Sequence, residues 1–365
     1  MAQQIQVDGR LSRAATIPSW CYTDPATLVG ERDRIFARTW QLVGRGDQVA
    51  SPGSYFTAQV AGEPLLVVRG NDARLRALSN VCRHRAGPVA RGEGTCGAFR
   101  CGYHGWSYSL DGRLANTPEF DGVEDFDRGS VRLPEFRVET CLGLVFVNLD
   151  RDAAPLLETL GDLPARLESR GLSEMKLAAR KDWEIECNWK VYVDNYLEGY
   201  HIPIVHPGLM KEIDYARYET ETSGCWSLQH SPIKPREDAK LRRDLRETES
   251  DAAYYWVYPN LMLNVYPDNF STNLIVPLGP RRTLTAFEWF FRDPQSASVQ
   301  ETVRQTIEFS DEIQREDVAI CEAVQKGLES RTYDTGRFSV RRESGVHHFH
   351  RLYAQALSFP FSAIG

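Results

Sequence analysis

Between residue 40 and about residue 150, apolar positions come in short runs bounded by turn residues, a pattern that predicts strands. Residues 64–69, 74–79 and 142–149 are such runs, and Asp111-Gly112 supplies a turn after residues 106–110. Past residue 150 the texture changes. Residues 154–169 predict a helix ended by Arg170-Gly171, residues 176–187 a strand, and residues 189–201 another helix. Strands follow over 253–258, 261–266, 271–276 and 281–292, then a long helix over 299–327 and a last one over 345–356. Near the start, Asp24 suits an N-cap and Pro25 a first helical position, predicting a short helix to residue 37. Residues 211–250 are charge-rich and predict a surface loop or lid.

This pattern divides the chain into a lead-in (1–39), a small all-β domain (40–150) and a larger mixed domain (151–365). With 42% apolar and 25% charged residues, the composition is that of a folded globular protein. The net charge of -7 leaves no basic excess for nucleic acid. The polar start lacks an apolar signal core and no apolar run approaches a membrane span, so no membrane and a cytoplasmic location are expected. Six of the eight cysteines are scattered without paired spacing, which suits a reducing compartment.

The other two cysteines carry the strongest chemical signal. Cys82-Arg83-His84 is followed, after sixteen residues, by Cys101-Gly102-Tyr103-His104. Each loop offers one thiolate and one imidazole, which suits a Rieske-type [2Fe-2S] cluster with two Cys on one iron and two His on the other. The alternative is a zinc site with the same ligand set, although zinc fingers usually group Cys with Cys and His with His. Gly92 to Gly97 matches G-x-G-x-x-G but opens no helix, so a dinucleotide site is rejected. Electrons are therefore expected from a separate protein.

A second constellation runs from Asp194 to His206. Asp194, Glu198 and His201 are spaced i, i+4, i+7, one face of a helix, and Pro203 then lets His206 swing back. Two imidazoles and a carboxylate from elsewhere make the triad of non-haem Fe(II) oxygenases. For one isolated His, capping or packing is the simpler reading. Two metal-like clusters in one chain favour iron.

Together the motifs resemble the large (α) subunit of Rieske non-haem iron oxygenases, over nearly the whole chain. The resemblance implies an α+β protein: an all-β Rieske domain, then a catalytic domain with a curved antiparallel sheet wrapped by helices. It makes His201 and His206 ligands of mononuclear Fe(II) and selects Asp317 as the third, with Asp311, Glu312 and Glu316 as confusable neighbours. It implies a homotrimer, in which Glu198 links a cluster His of one chain (His104) to His201 of the next, with Asp194 beside it. It also implies O2 as co-substrate and a separate NAD(P)H-dependent flavin/iron-sulfur reductase.

The segments around Asn195–His201, Glu322–Leu328 and Gly345–Arg351 look like the branch acting on choline, glycine betaine and carnitine. Quaternary ammonium groups are held by aromatic faces, and Tyr254, Trp256, Tyr258 and Tyr266 are the rings expected to supply them. The rivals are hydroxylation of an aromatic ring and a non-catalytic Rieske electron carrier. His347, His348 and His350 have no nearby acid or thiol to complete a third metal site, so a packed helix end is expected there.

Overall fold

The computed structural model describes residues 5–234 and 251–358. They form two compact units, residues 32–159 and residues 5–31 with 160–358.

In the first unit seven strands pair antiparallel, in the order Gln41–Arg45, Leu144–Asn148, Glu135–Cys141, Leu75–Ser79, Glu63–Arg69, Ser54–Val60, Glu93–Thr95. A second, three-stranded sheet joins Phe99–Arg100, Ser107–Tyr108 and Leu114–Asn116. The strand expected from residue 142 begins at Leu144, because Leu142 and Gly143 turn with φ of 53° and 78°. One buried cluster joins Leu66, Val68 and Leu78 of the large sheet to Cys82, Cys101, Trp106 and Tyr108. The cysteine loops are thus rooted in a core.

The second unit is built on a seven-stranded antiparallel sheet, in the order Lys176–Ile185, Arg282–Phe291, Asn269–Gly279, Leu261–Val265, Asp251–Val257, Trp226–Pro232, Glu219–Ser223. The helices Trp189–Tyr196, Ala297–Leu328 and Ser344–Ser358 accompany it. This is the α+β architecture expected. Three local expectations fail. The helix over 154–169 is split into Leu156–Leu160 and Leu163–Glu168, because Gly161 enters the left-handed region at φ +60° and Pro164 restarts the chain. Within the expected lid, residues 211–212 end the helix Pro207–Glu212 and residues 219–232 form a strand pair whose second strand is largely buried; residues 235–250 lie outside the described residues. The helix over 189–201 stops at Tyr196.

The helix Trp189–Tyr196 starts where Asn188 accepts from Lys190 N–H at 3.1 Å. Lys190 is wholly buried, a position that demands pairing. Its ammonium lies 2.5 Å from Glu31 and 2.7 Å from Asn188 Oδ1. The rings of Trp189, Tyr22 and Tyr353 surround it, with centroids at 5.2 to 5.4 Å. Trp189 Nε1 and Tyr353 Oη also donate to Glu31.

Candidate active site

The two cysteine loops are one turn made twice. Cys82 N–H donates to Gly87 O at 2.8 Å and Cys101 N–H to Trp106 O at 2.9 Å. The fourth residue after each Cys returns its N–H to that Cys carbonyl, at 3.0 Å from Ala86 and 3.1 Å from Gly105. Both take positive φ, 57° and 76°. The histidines sit inside these turns, their ring centroids 4.6 Å apart. His84 stacks on Trp106 and His104 on Tyr103. Both thiols are buried, while His104 is exposed. Desolvation, then the charges of His84 and Arg85, lowers the pKa of His104, favouring the neutral imidazole a metal needs.

The surroundings fit a cluster. A Cβ at Gly87 would meet Cys101 Sγ at 3.1 Å, a tight approach, so glycine there lets the loops lie close to each other. Tyr108 Oη accepts from Arg83 N–H at 2.9 Å, leaving its own hydrogen for Cys82 Sγ at 3.2 Å. Burial pushes that phenol pKa up, so the hydrogen stays. Two facing loops that each present one thiol and one imidazole suit a cluster whose two irons take different ligands, whereas zinc fingers usually group Cys with Cys and His with His.

The second site follows from how the helix ends. Gly199 lies against the Tyr218 ring, where a Cβ would stand 2.6 Å from a ring carbon. His201 and His206 then flank the single turn Ile202–Val205. Pro207 keeps His206 out of helical geometry, at φ -117° and ψ 67°. The two rings lie edge to face, with centroids 4.9 Å apart and planes at 74°. Asp317 Oδ1 lies 3.0 Å from His206 Nε2 and 3.9 Å from His201 Nε2. Both Nδ1 atoms are taken by carboxylates, His201 by Glu198 at 2.6 Å and His206 by Glu316 at 2.7 Å. Such bonds fix the tautomer and leave Nε2 for a metal. Burial opposes charge on His206, but Asp317 and Glu316 outweigh it and raise its pKa.

The acids near Asp317 separate cleanly. Asp311 is bound to Lys181 at 2.6 Å, and Glu316 holds the outer nitrogen of His206. Sequence reasoning missed Asn195, whose Nδ2 donates to Asp317 at 2.6 Å. It also put Asp194 on one helix face with Glu198 and His201, as a catalytic residue, on the assumption of one continuous helix. With the helix ending at Tyr196, Asp194 turns away and binds Tyr22 Oη at 2.6 Å and His350 Nε2 at 2.9 Å. His350 Nδ1 accepts from Ile17 N–H, so this histidine is a packed helix residue.

A cavity opens at the His201–His206–Asp317 group. Tyr254 and Tyr266 line it, edge to face at 6.1 Å, with Tyr192, Tyr196, Tyr218 and Trp289. Burial pushes Tyr266 up to about 12 and Tyr192, Tyr196, Tyr218 and Tyr254 higher still, so these rings stay neutral. No Lys or Arg appears among the described residues of the lining. Trp256 and Tyr258 do not line it. Further along their strand they pack on each other, and Trp256 on Phe349 of the last helix. The missed rings come from other elements, and only tertiary packing brings them in.

Residues 39–127 match the Rieske [2Fe-2S] domain, and residues 172–358 the catalytic domain of the ring hydroxylating alpha subunit. The chain is 37% identical to the chloroplastic choline monooxygenase of Arabidopsis thaliana, over 94% of this chain and 83% of that one. It is 35% identical to the carnitine monooxygenase oxygenase subunit of Escherichia coli K12, over 94% of each. A solved quaternary ammonium Rieske monooxygenase superposes with a TM-score of 0.89 at 31% identity, covering 98% of this chain and all of that one. Naphthalene 1,2-dioxygenase from Rhodococcus sp., at 19% identity and a TM-score of 0.80, shares the fold. The chain belongs to the Rieske non-haem iron oxygenases, as an alpha subunit. It is an oxidoreductase whose cofactors are a [2Fe-2S] cluster and a mononuclear iron. No described helix is long and apolar enough to cross a membrane.

Proposed function

We propose that the chain is the terminal oxygenase for a small quaternary ammonium compound. The observation that carries this is the tyrosine-lined cavity at the His201–His206–Asp317 group, with no Lys or Arg among the described residues of its lining. Aromatic faces attract such a cation without stripping it of hydrogen bonds, since it has none to lose. The named activities of the two relatives point the same way.

In this reading Cys82, His84, Cys101 and His104 hold the cluster, and His201, His206 and Asp317 hold the iron. Iron bound there supplies O2 activation, with electrons delivered singly through the cluster from a separate reductase. Glu198 and Glu316 keep the Nδ1 protons of the two histidines and so aim Nε2 inward. Asn195 steers Asp317. The tyrosines orient the ammonium head and, staying protonated, add no charge of their own. Hydroxylation of an N-methyl carbon gives a carbinolamine that collapses to formaldehyde and a tertiary amine. Hydroxylation of a methylene gives an alcohol or an aldehyde hydrate.

The reading extends to a homotrimer in which Glu198 lies between His201 and a cluster histidine of the next subunit. Its side chain is 13% exposed, and Tyr200 and Ile204 beside it are 59% and 85% exposed. On the other unit Tyr103, stacked on His104, is 58% exposed. Apolar side chains left open around both centres suit burial in an assembly.

A single turnover tests the function. Iron-loaded, chemically reduced protein is given O2 with choline, glycine betaine and carnitine, or with aromatic acids and hydrocarbons. An oxidised or demethylated amine is expected. A hydroxylated ring with the cations untouched overturns the reading.

A further inference from the structure

The break that sends Glu198 and His201 out of the helix Trp189–Tyr196 is held by an exchange of hydrogen bonds. In a continuing helix Tyr200 N–H would donate to the carbonyl of Tyr196. It donates instead to the Glu198 carboxylate, and His201 N–H joins it on the same oxygen at 3.1 Å. The other Glu198 oxygen is the one that holds His201 Nδ1 at 2.6 Å. Tyr196 O has thereby lost its helical donor, and Gln229 Nε2 takes that place at 2.6 Å. Gln229 comes from the middle of the sheet, on the strand Trp226–Pro232 between Thr220 and Tyr254, and is 1% exposed. Its Oε1 accepts from Tyr218 Oη at 3.1 Å, which settles the orientation of the amide. Tyr218 is fixed in turn, its ring against Gly199 and its carbonyl bound by Arg342 Nη1 at 3.0 Å. Two acceptors, Glu198 and Tyr196 O, thus stand within reach of one backbone donor. A buried carbonyl without a partner is costly, so removing Gln229 Nε2 lets Tyr196 O draw the Tyr200 N–H back. The helix then lengthens, and Glu198 loses a donor that aims its carboxylate.

We propose that Gln229 is a positioning residue of the iron site: by supplying the donor that the broken helix lacks, it keeps Tyr200 N–H on Glu198 and so sets the direction in which Glu198 holds His201. The proposal rests on the assignment of His201, His206 and Asp317 to iron and is independent of which compound is oxidised. Gln229 acts through the backbone of Tyr196 and Tyr200, and no covalent change is involved. An amide suits the place because it donates at one end and accepts at the other.

The test uses the iron- and cluster-loaded full chain and three variants. Gln229→Met keeps the length and removes both polar ends. Gln229→Asn keeps the amide but stops a methylene short of Tyr196 O. Gln229→His keeps a ring N–H donor at a similar reach. Two measurements report on the iron without turnover: the EPR spectrum of the nitric oxide adduct of the ferrous iron, with the cluster oxidised, and iron retention against a chelator. In Gln229→Met and Gln229→Asn the EPR lines are expected to shift or split and iron retention to weaken about tenfold, the effect of loosening the group behind a ligand histidine. The visible spectrum of the cluster stays. Gln229→His is expected to restore the wild-type line shape and to hold iron within about threefold of wild type. Wild-type behaviour of Gln229→Met and Gln229→Asn overturns the proposal. So does a Gln229→His variant as impaired as the other two, since packing and not the donor is then what matters. Either of the first two variants decides if the other fails to fold, and loss of folding in both makes Gln229 a stabilising residue and overturns the proposal as well. A wild-type chain that gives no nitric oxide signal after iron loading overturns the iron assignment and this proposal with it.

Discussion

The two metal-binding regions are built on opposite principles. The cysteine loops are local: one turn used twice, each closed by backbone bonds within five residues of its Cys. The mononuclear site is assembled at long range. His206 meets Glu316 and Asp317 across 110 and 111 positions, and Asn195 reaches Asp317 across 122. A local site depends on its turns, whereas a long-range site depends on every element that brings its parts together. Damage should therefore stay confined in the first and spread in the second.

Asp317→Ala is expected to have the largest effect. Iron should fall from about three to about two per chain and turnover should vanish, while the visible spectrum of the cluster stays. Loss of both centres would show that the two regions are not separable. Next, Glu198→Gln should keep both metals and slow turnover about 10- to 100-fold, read as rate against measured metal content. An unchanged rate removes the bridging role. Glu316→Gln should weaken iron binding about tenfold without touching the cluster, measured by competition with a chelator. Smaller still, Tyr108→Phe should shift the cluster potential downward by about 40 mV. That corresponds to one hydrogen bond to sulfur of about 1 kcal/mol, and redox titration reads it. Last, cation affinity should stay flat from about pH 7 to 10, because the cavity phenols ionise only above that range. An ordinary tyrosine would ionise near the top of it and strengthen cation binding there.

The same contrast explains what could be read in the sequence. Cys82, His84, Cys101 and His104 stand out because their spacing is their geometry. His201 and His206 were legible for the same reason, separated by one helical turn and a proline. Asp317 needed a resemblance to single it out from Asp311 and Glu316, since only the fold shows that Lys181 occupies Asp311. Asp194 and His201 do not share one helix face, and periodicity cannot see that Gly199 must leave the helix to let Tyr218 approach. Of the four expected rings, two line the cavity and two do not. Tyr254 and Tyr266 share a strand-pair register, Tyr254 opposite Asn264, that puts them on the cavity. Trp256 has the same parity as Tyr254 but lies where the last helix covers the sheet. Parity gives the face of a strand and not the position along it.

The buried Lys190–Glu31 pair bears on how this protein can be handled in the laboratory. Trimming the chain to begin at the Rieske domain, or grafting the catalytic half onto another partner, deletes Glu31 along with the lead-in. Lys190 would then be left as an unopposed charge in the helix that also carries Asn195. Stranding a buried ion in this way costs about 3–5 kcal/mol, a large share of what holds a domain folded. The segment from Tyr22 to Glu31 is for that reason an inseparable part of this catalytic half. Any swap that uses this chain's catalytic half has to carry that segment along with it.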